Sequence, residues 1–217
     1  MASLIDLSHP IEEGMTTYPG LPAPKVGAHL TREGSRDHYE AGTEFHIGQI
    51  EMVGNTGTYL DTPFHRFPGG FDLADLDLGS VAGVPGICIR IEGQEVTAEM
   101  IDALEVRGKA LLLATGWDRH WRTDIYGDAT HPFLSGAAAE ALVAHGVTLV
   151  GIDSVNIDDT RGGSRPAHTA LLGAGVPIVE HLTGLDDVVG RSFRFYAVPA
   201  PVRGLGTFPV RAFAELG

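Results

Sequence analysis

The chain has 217 residues, a formal net charge of -13 and one cysteine. That length suits one domain that buries roughly 70% of its unfolded surface, so no disulfide staple is needed. The acidic balance excludes nucleic acid and anionic membrane as partners, because both require a basic face.

No apolar run approaches the ~18 residues of a membrane span, and the N-terminus lacks a basic stretch followed by an apolar core. A cytoplasmic location is the expectation. Cys88 lies in the apolar run Val84 to Ile91 and reads as a buried, inert thiol. The 29 glycines and 13 prolines are scattered between apolar runs, which predicts many tight turns and not disorder.

Leu4 to Ile11 alternates apolar and polar residues and predicts a first strand ended by Pro10. Glu12 to Lys25, with its prolines and glycines, predicts an irregular segment. Phe45 to Val53 predicts a strand, with His46 at its start as a half-buried imidazole or a group facing a site. Gly54 to Phe67 interrupts the scaffold pattern. There Asp61 and His65 sit among small, apolar and turn-forming residues, bracketed by Gly57 and Pro63, so the backbone is expected to leave a regular strand. The bland alternative is a turn in which Asp61 only accepts backbone N–H groups.

Phe71 to Val81 predicts a turn and a helical piece, and Val84 to Ile91 a strand. Thr97 predicts the cap of a helix from Ala98 to Leu104. The apolar run Lys109 to Thr115, between Gly108 and Gly116, predicts a strand buried on both faces. Trp117, His120, Trp121 and Tyr126 follow it and form either one wall of a pocket for a ring or the lid of the core. Ser135 and Gly146 frame a helix from Gly136 to His145. Val147 to Ile152 predicts another buried strand. Asp158 to Pro166 predicts a flexible polar loop, whose Gly162, Gly163 and Ser164 beside Arg161 and Arg165 suit an anion or nothing at all. Ala167 to Leu172 predicts a helical turn carrying His168, Val176 to Val179 a strand ending at Glu180, and Phe193 to Val198 a last strand. Strands alternate with helices in the second half and predominate in the first, an α/β arrangement.

Asp61, His65, His168 and Glu180 are two carboxylates and two imidazoles at the ends of apolar runs. Such a set either holds a divalent metal or performs general acid–base work.

These stretches resemble the cyclase superfamily, which includes bacterial kynurenine formamidase and isatin hydrolase. Its signature is His-x-Gly-Thr-His-x-Asp-x-Pro-x-His. The frame here is Asn55-Thr56-Gly57-Thr58-Tyr59-Leu60-Asp61-Thr62-Pro63-Phe64-His65, in which Gly57, Thr58, Asp61, Pro63 and His65 match. Asn55 and Tyr59 stand where the family has two metal-ligating histidines. The resemblance implies one swivelling β/β/α domain over residues 1–217 with a mixed central sheet, assembled as dimers or tetramers. It implies a zinc or manganese site that retains ligand types in Asp61, His168 and Glu180, with His65 as the acid–base group. In that family the irregular segment lies near the active site, so Tyr18 and Leu21 either line a substrate pocket or anchor an ordinary surface loop; Asn55, and Trp117 of the strand-end aromatic cluster, are the other substrate-binding candidates.

The expected activity is hydrolysis of a C–N amide or lactam-like bond in a small aromatic substrate, as in kynurenine formamidase. Losing two imidazoles weakens a zinc site. The metal therefore stays open, and two alternatives stand beside the hydrolase. One is a metal-free lyase or cyclase using His65 and Tyr59, with Asp61–His65 or Glu180–His168 as its acid–base pair. The other is a binding protein that has lost the chemistry.

Overall fold

The structure is a computed structural model and describes residues 3–217. Thirteen strands are described: β1 (Ser3–Asp6), β2 (Lys25–Leu30), β3 (Ile47–Glu51), β4 (Tyr59–Asp61), β5 (Ala82–Arg90), β6 (Glu95–Val96), β7 (Ala110–Ala114), β8 (Phe133–Leu134), β9 (Leu149–Ile152), β10 (Ile178–Glu180), β11 (Phe193–Tyr196), β12 (Thr207–Pro209) and β13 (Phe213–Leu216). The α-helices are α1 (Arg32–Ser35), α2 (Ala98–Asp102), α3 (Gly136–His145) and α4 (Pro166–Gly173).

Nine strands form one mixed sheet in the order β1-β13-β11-β5-β7-β9-β10-β4-β12. Its centre, β5-β7-β9-β10, is parallel, and antiparallel strands extend it on both sides. The apolar run of β7 is explained by what covers it. Leu111 and Leu113 pack with Leu142 of α3 and Leu171 of α4, while Leu112 points the other way into a cluster with Leu60, Val179 and Phe195. A strand apolar on both faces is what a parallel strand between two layers requires.

The helices obey their local signals. The Ser135 side chain accepts from the Ala138 N–H at 3.2 Å, and Gly146 ends α3 with φ 76°. Both are ordinary cap devices. Cys88 is buried, and desolvation pushes its thiol up to about 12. No helix among the described residues is long and apolar enough to cross a membrane.

The structure departs from the sequence reading in four places. The first strand is short, ending at Asp6, with only an isolated bridge from Ser8 to Leu182. Phe193–Tyr196 is not the last strand, since β12 and β13 follow and β13 joins β1 to β11. The motif does leave regular strand as expected: residues 54–58 bend, with Gly57 at φ 66°, β4 spans only Tyr59–Asp61, and a 3-10 turn follows from Pro63, whereas the remaining two departures lie upstream. Lys25–Leu30 is a strand that pairs only with β3, in a two-stranded hairpin outside the main sheet. Every residue of β3, including its neighbour His46, is exposed, so His46 is neither half-buried nor near a site.

Candidate active site

β4 lies between β10 and β12, which makes all three of its residues buried. Strand alternation sends Leu60 into the core and turns Tyr59 and Asp61 to the opposite face. Asp61 faces Ile178 on one side and Thr207 on the other, and Tyr59 faces Glu180. Pro63 then opens a single 3-10 turn, Pro63–His65, with its fixed φ at the first position. The turn brings His65 back over the strand, its Nδ1 3.8 Å from Asp61 Oδ1. Thr207 Oγ1 stands between them. It donates to Asp61 Oδ1 and lies 2.8 Å from His65 Nδ1.

His168 comes from the first turn of α4, which starts at Pro166. Asp158 fixes it. One Asp158 oxygen accepts from Ala167 N–H at 2.6 Å, and the other takes His168 N–H and His168 Nδ1 at 3.1 and 2.6 Å. Nδ1 is thus the donor, and Nε2 points at Asp61 Oδ2 and Glu180 Oε1 from 3.8 and 3.7 Å. Burial disfavours the charged ring, but the hydrogen bond to Asp158 and the nearby carboxylates of Asp61 and Glu180 outweigh it, raising its pKa to about 10. Glu180 is raised by burial, against the pull of His168.

A second chain of groups runs behind the strand. The Tyr59 hydroxyl donates to Glu180 Oε2 at 2.6 Å, so it receives the proton of His181 Nε2, 3.2 Å away. His181 Nδ1 is then an acceptor, and the Tyr126 hydroxyl donates to it at 2.7 Å. All three rings are buried. Desolvation raises both phenols well above their usual range and pushes His181 down to about 3, so all three are neutral. His181 has φ 56°, a conformation costly for a side chain with a Cβ and frequent near functional sites.

Asp61, Tyr59, His65, His168, Glu180, Asn55 and Tyr18 therefore meet. All but Asp61 line one cavity of about 300 Å³, which Leu21, Arg66, Asn156 and Arg165 complete. Trp117 does not reach it. Its ring is buried with Tyr126 and Val155, and Nε1 donates to the Tyr126 carbonyl at 2.9 Å. Arg161 is held by Asp159 in a paired contact, and Arg165 donates to the carbonyls of Gly162 and Ser164, so this loop closes on itself. A larger cavity of about 570 Å³, between residues 12–19 and 122–127, contains none of the carboxylate–imidazole cluster.

The cluster fits a divalent ion. Asp61 Oδ2 is buried with no hydrogen-bond partner among the described residues, so its charge is offset only by a cation facing it, either the charged His168 ring at 3.8 Å or a divalent ion that replaces that proton. One ligand atom each from Asp61, His65 and His168 lies within 4.8 Å of the others. The gaps of 3.7 and 3.8 Å from His168 Nε2 to the two carboxylates are too long for hydrogen bonds. They come close to the spacing of about 3 to 3.5 Å between neighbouring ligands of an ion bound at 2.0–2.2 Å. The donor set is oxygen-rich, since Tyr59 and Asn55 contribute no imidazole.

Sequence reasoning missed the roles of Asp158, Thr207 and His181, and placed Tyr126 in an aromatic wall without its hydrogen bond to His181. Asp158 was expected in a mobile loop and is fully buried. Its signal was available: an acidic residue shortly before a helix-initiating proline. His181, directly after Glu180, was also visible. Thr207 carried no signal.

The family model described as "Putative cyclase" matches residues 5–159. A kynurenine formamidase from Geobacillus thermodenitrificans is 30% identical over 209 residues, covering 96% of this chain and 95% of that protein. A solved structure described as a predicted metal-dependent hydrolase from Bacillus stearothermophilus superimposes with TM-score 0.79 at 26% identity, covering 99% of this chain and 98% of that one. Isatin hydrolase A from Labrenzia aggregata has TM-score 0.81 at 20% identity, covering 99% and 94%, a likeness of fold.

Proposed function

The chain belongs to the cyclase family and is a hydrolase, and from that premise we propose that it cleaves the C–N bond of a small aromatic amide at the Asp61, His65, His168 and Glu180 cluster. The observation that carries this reading is the unpartnered, buried Asp61 Oδ2 facing His168 Nε2. A kynurenine formamidase-like substrate, an N-formyl or ring-fused aryl amide, is supported by the relatives and by the size of the cavity. Its volume of about 300 Å³ suits a single ring with a short substituent.

Asp61, His168 and Glu180 would hold the ion, and with two carboxylates and one imidazole the set favours manganese over zinc. When bound, such an ion supplies Lewis acidity toward the scissile carbonyl and lowers the pKa of a water. Asp158 keeps the Nδ1 proton of His168, so Nε2 is the nitrogen that would be offered once an ion displaces its proton. Tyr59 keeps its proton on Glu180, partly offsetting that charge. His65 takes the proton of the attacking water as the C–O bond forms, and returns it to nitrogen as the C–N bond breaks. The products are a carboxylate and an amine. Tyr18 and Leu21 give the ring an apolar wall, and the Asn55 amide is a donor for the substrate carbonyl.

We take residues 1–217 as one cyclase-like hydrolase domain, supported by the pairing of β1 with β13. A homodimer or tetramer is supported by the exposed apolar side chains of the hairpin, Val26, Ile47 and Ile50 among them. A cytoplasmic location is supported by the single unpaired thiol.

The test is release of formate from N-formylaniline by manganese-loaded protein, with His65→Ala alongside. The expected loss in His65→Ala is on the order of 10²–10⁴ in kcat. Equal rates in the two proteins would remove His65 from the chemistry, and no turnover by loaded wild type would remove the formamide substrate.

A further inference from the structure

Thr207 lies 146 positions from Asp61, yet its side chain touches both Asp61 and His65. We infer that Thr207 is a positioning residue that fixes the tautomer of His65, relaying the Asp61 carboxylate to it through a hydroxyl; the inference rests on the hydrolase reading for its catalytic consequence alone.

The geometry sets every proton. Asp61 Oδ1 to His65 Nδ1 is 3.8 Å, too far for direct contact. Thr207 has one hydroxyl proton, and it donates that proton to Asp61 Oδ1. Its oxygen can then only accept from His65 Nδ1, at 2.8 Å. Nδ1 therefore carries the ring proton, and Nε2 is left as a lone pair with no hydrogen-bond partner among the described residues. That nitrogen is the base that the proposed reaction needs. A carboxylate joined to an imidazole in this way orients the base and favours its protonated form during reaction.

The backbone is built to bring Thr207 there. β12 pairs with β4 so that Thr207 opposes Asp61 directly. The Gly206 carbonyl accepts from both Thr62 N–H and Thr62 Oγ1, at 2.7 and 3.0 Å. A Cβ on Gly206 would stand 2.2 Å from the His65 nitrogen, and one on Gly54 would stand 2.3 Å from the Thr207 carbonyl oxygen. Only glycine allows two such backbone approaches, and they press Thr207 against the His65 turn from both sides. The Thr207 side chain is then buried with one pair of partners in reach.

The test compares Thr207→Val, which keeps the shape and removes the hydroxyl, with Thr207→Ser, which keeps the hydroxyl. The expected loss in kcat for Thr207→Val is on the order of 10–100-fold, as for other groups that orient a reacting side chain, with KM within about twofold. Thr207→Ser should recover most of that rate. Nitrogen-15 NMR of the full chain at about pH 8, above the usual imidazole pKa, reads the tautomer without substrate. Wild type and Thr207→Ser should show His65 protonated at Nδ1, and Thr207→Val should lose that preference. A folded Thr207→Val with unchanged kcat, a Thr207→Ser as slow as Thr207→Val at equal melting temperature, or wild-type His65 protonated at Nε2 would each overturn the inference. If wild type turns over no amide, the hydrolase reading fails, and the NMR result still decides the role of Thr207.

Discussion

The hairpin of β2 and β3 and the strand β4 are separated by seven residues of sequence and behave in opposite ways. In the hairpin, Val26 faces Ile50 across the pair, and Val26, Ile47 and Ile50 remain 50%, 46% and 48% exposed. In β4, Tyr59, Leu60 and Asp61 are all within 2% of complete burial. The difference lies in neighbours. β4 has β10 and β12 on its edges and a packed layer beneath Leu60, whereas β2 and β3 have only each other. An isolated two-stranded ribbon is marginal alone, so the apolar face of the hairpin is expected to find its cover in another copy of the chain. The buried strand can instead carry charge and strain, because the core around it fixes their positions.

Substitutions should separate the two regions. The largest effect is expected behind β4. Asp158→Asn removes the carboxylate that orients His168 and should weaken manganese binding and turnover each by about 10–100-fold. Isothermal titration and a kcat measurement check this; unchanged binding would mean that His168 is oriented by α4 alone.

An intermediate effect is expected from acid. His181 is neutral when folded, its pKa pushed down to about 3 by burial. Below about pH 6.5 the unfolded chain takes up a proton that the folded chain refuses, so stability is full above that pH and falls as the pH drops. At pH 5 the loss from His181 alone is about 2 kcal/mol. Urea unfolding at pH 7 and pH 5 of wild type and His181→Gln reads it as a difference, because Glu180, raised by burial, shifts stability in the opposite sense over the same range. The same pH dependence in the two proteins would show that His181 is not held neutral.

The smallest effect on folding is expected in the hairpin. Ile47→Asp should change unfolding free energy by no more than about 0.5 kcal/mol, because the side chain is already half in water. It should nevertheless lower the mass seen by light scattering. A large loss of stability in a protein that is already monomeric would show that the hairpin packs on its own chain.

Legibility in the sequence follows the same division. The double-sided apolar run of β7 and the capped helix α3 were legible, because their signals are local and their burial is complete. Asp61, His65, His168 and Glu180 were legible as chemistry-bearing residues at element ends. Phe45 to Val53 was legible as a strand, but the half-burial expected of His46 was misleading, since a strand pattern does not say whether a partner layer exists. Thr207 was invisible because a threonine near a strand end is ordinary, and only the register between β12 and β4 gives it a role. Asp158 was misread because its polar neighbours described the loop and not the one residue that the loop buries.

The most direct test of the account is the metal content of protein soaked in manganese and then desalted, measured for wild type, Asp61→Ala and His65→Ala. The account predicts about one ion per chain in wild type and in His65→Ala, and none in Asp61→Ala, because the proposed mechanism assigns Asp61 to the ion and His65 to the proton. A wild type that retains no ion, or an Asp61→Ala that retains it fully, would contradict the site as described.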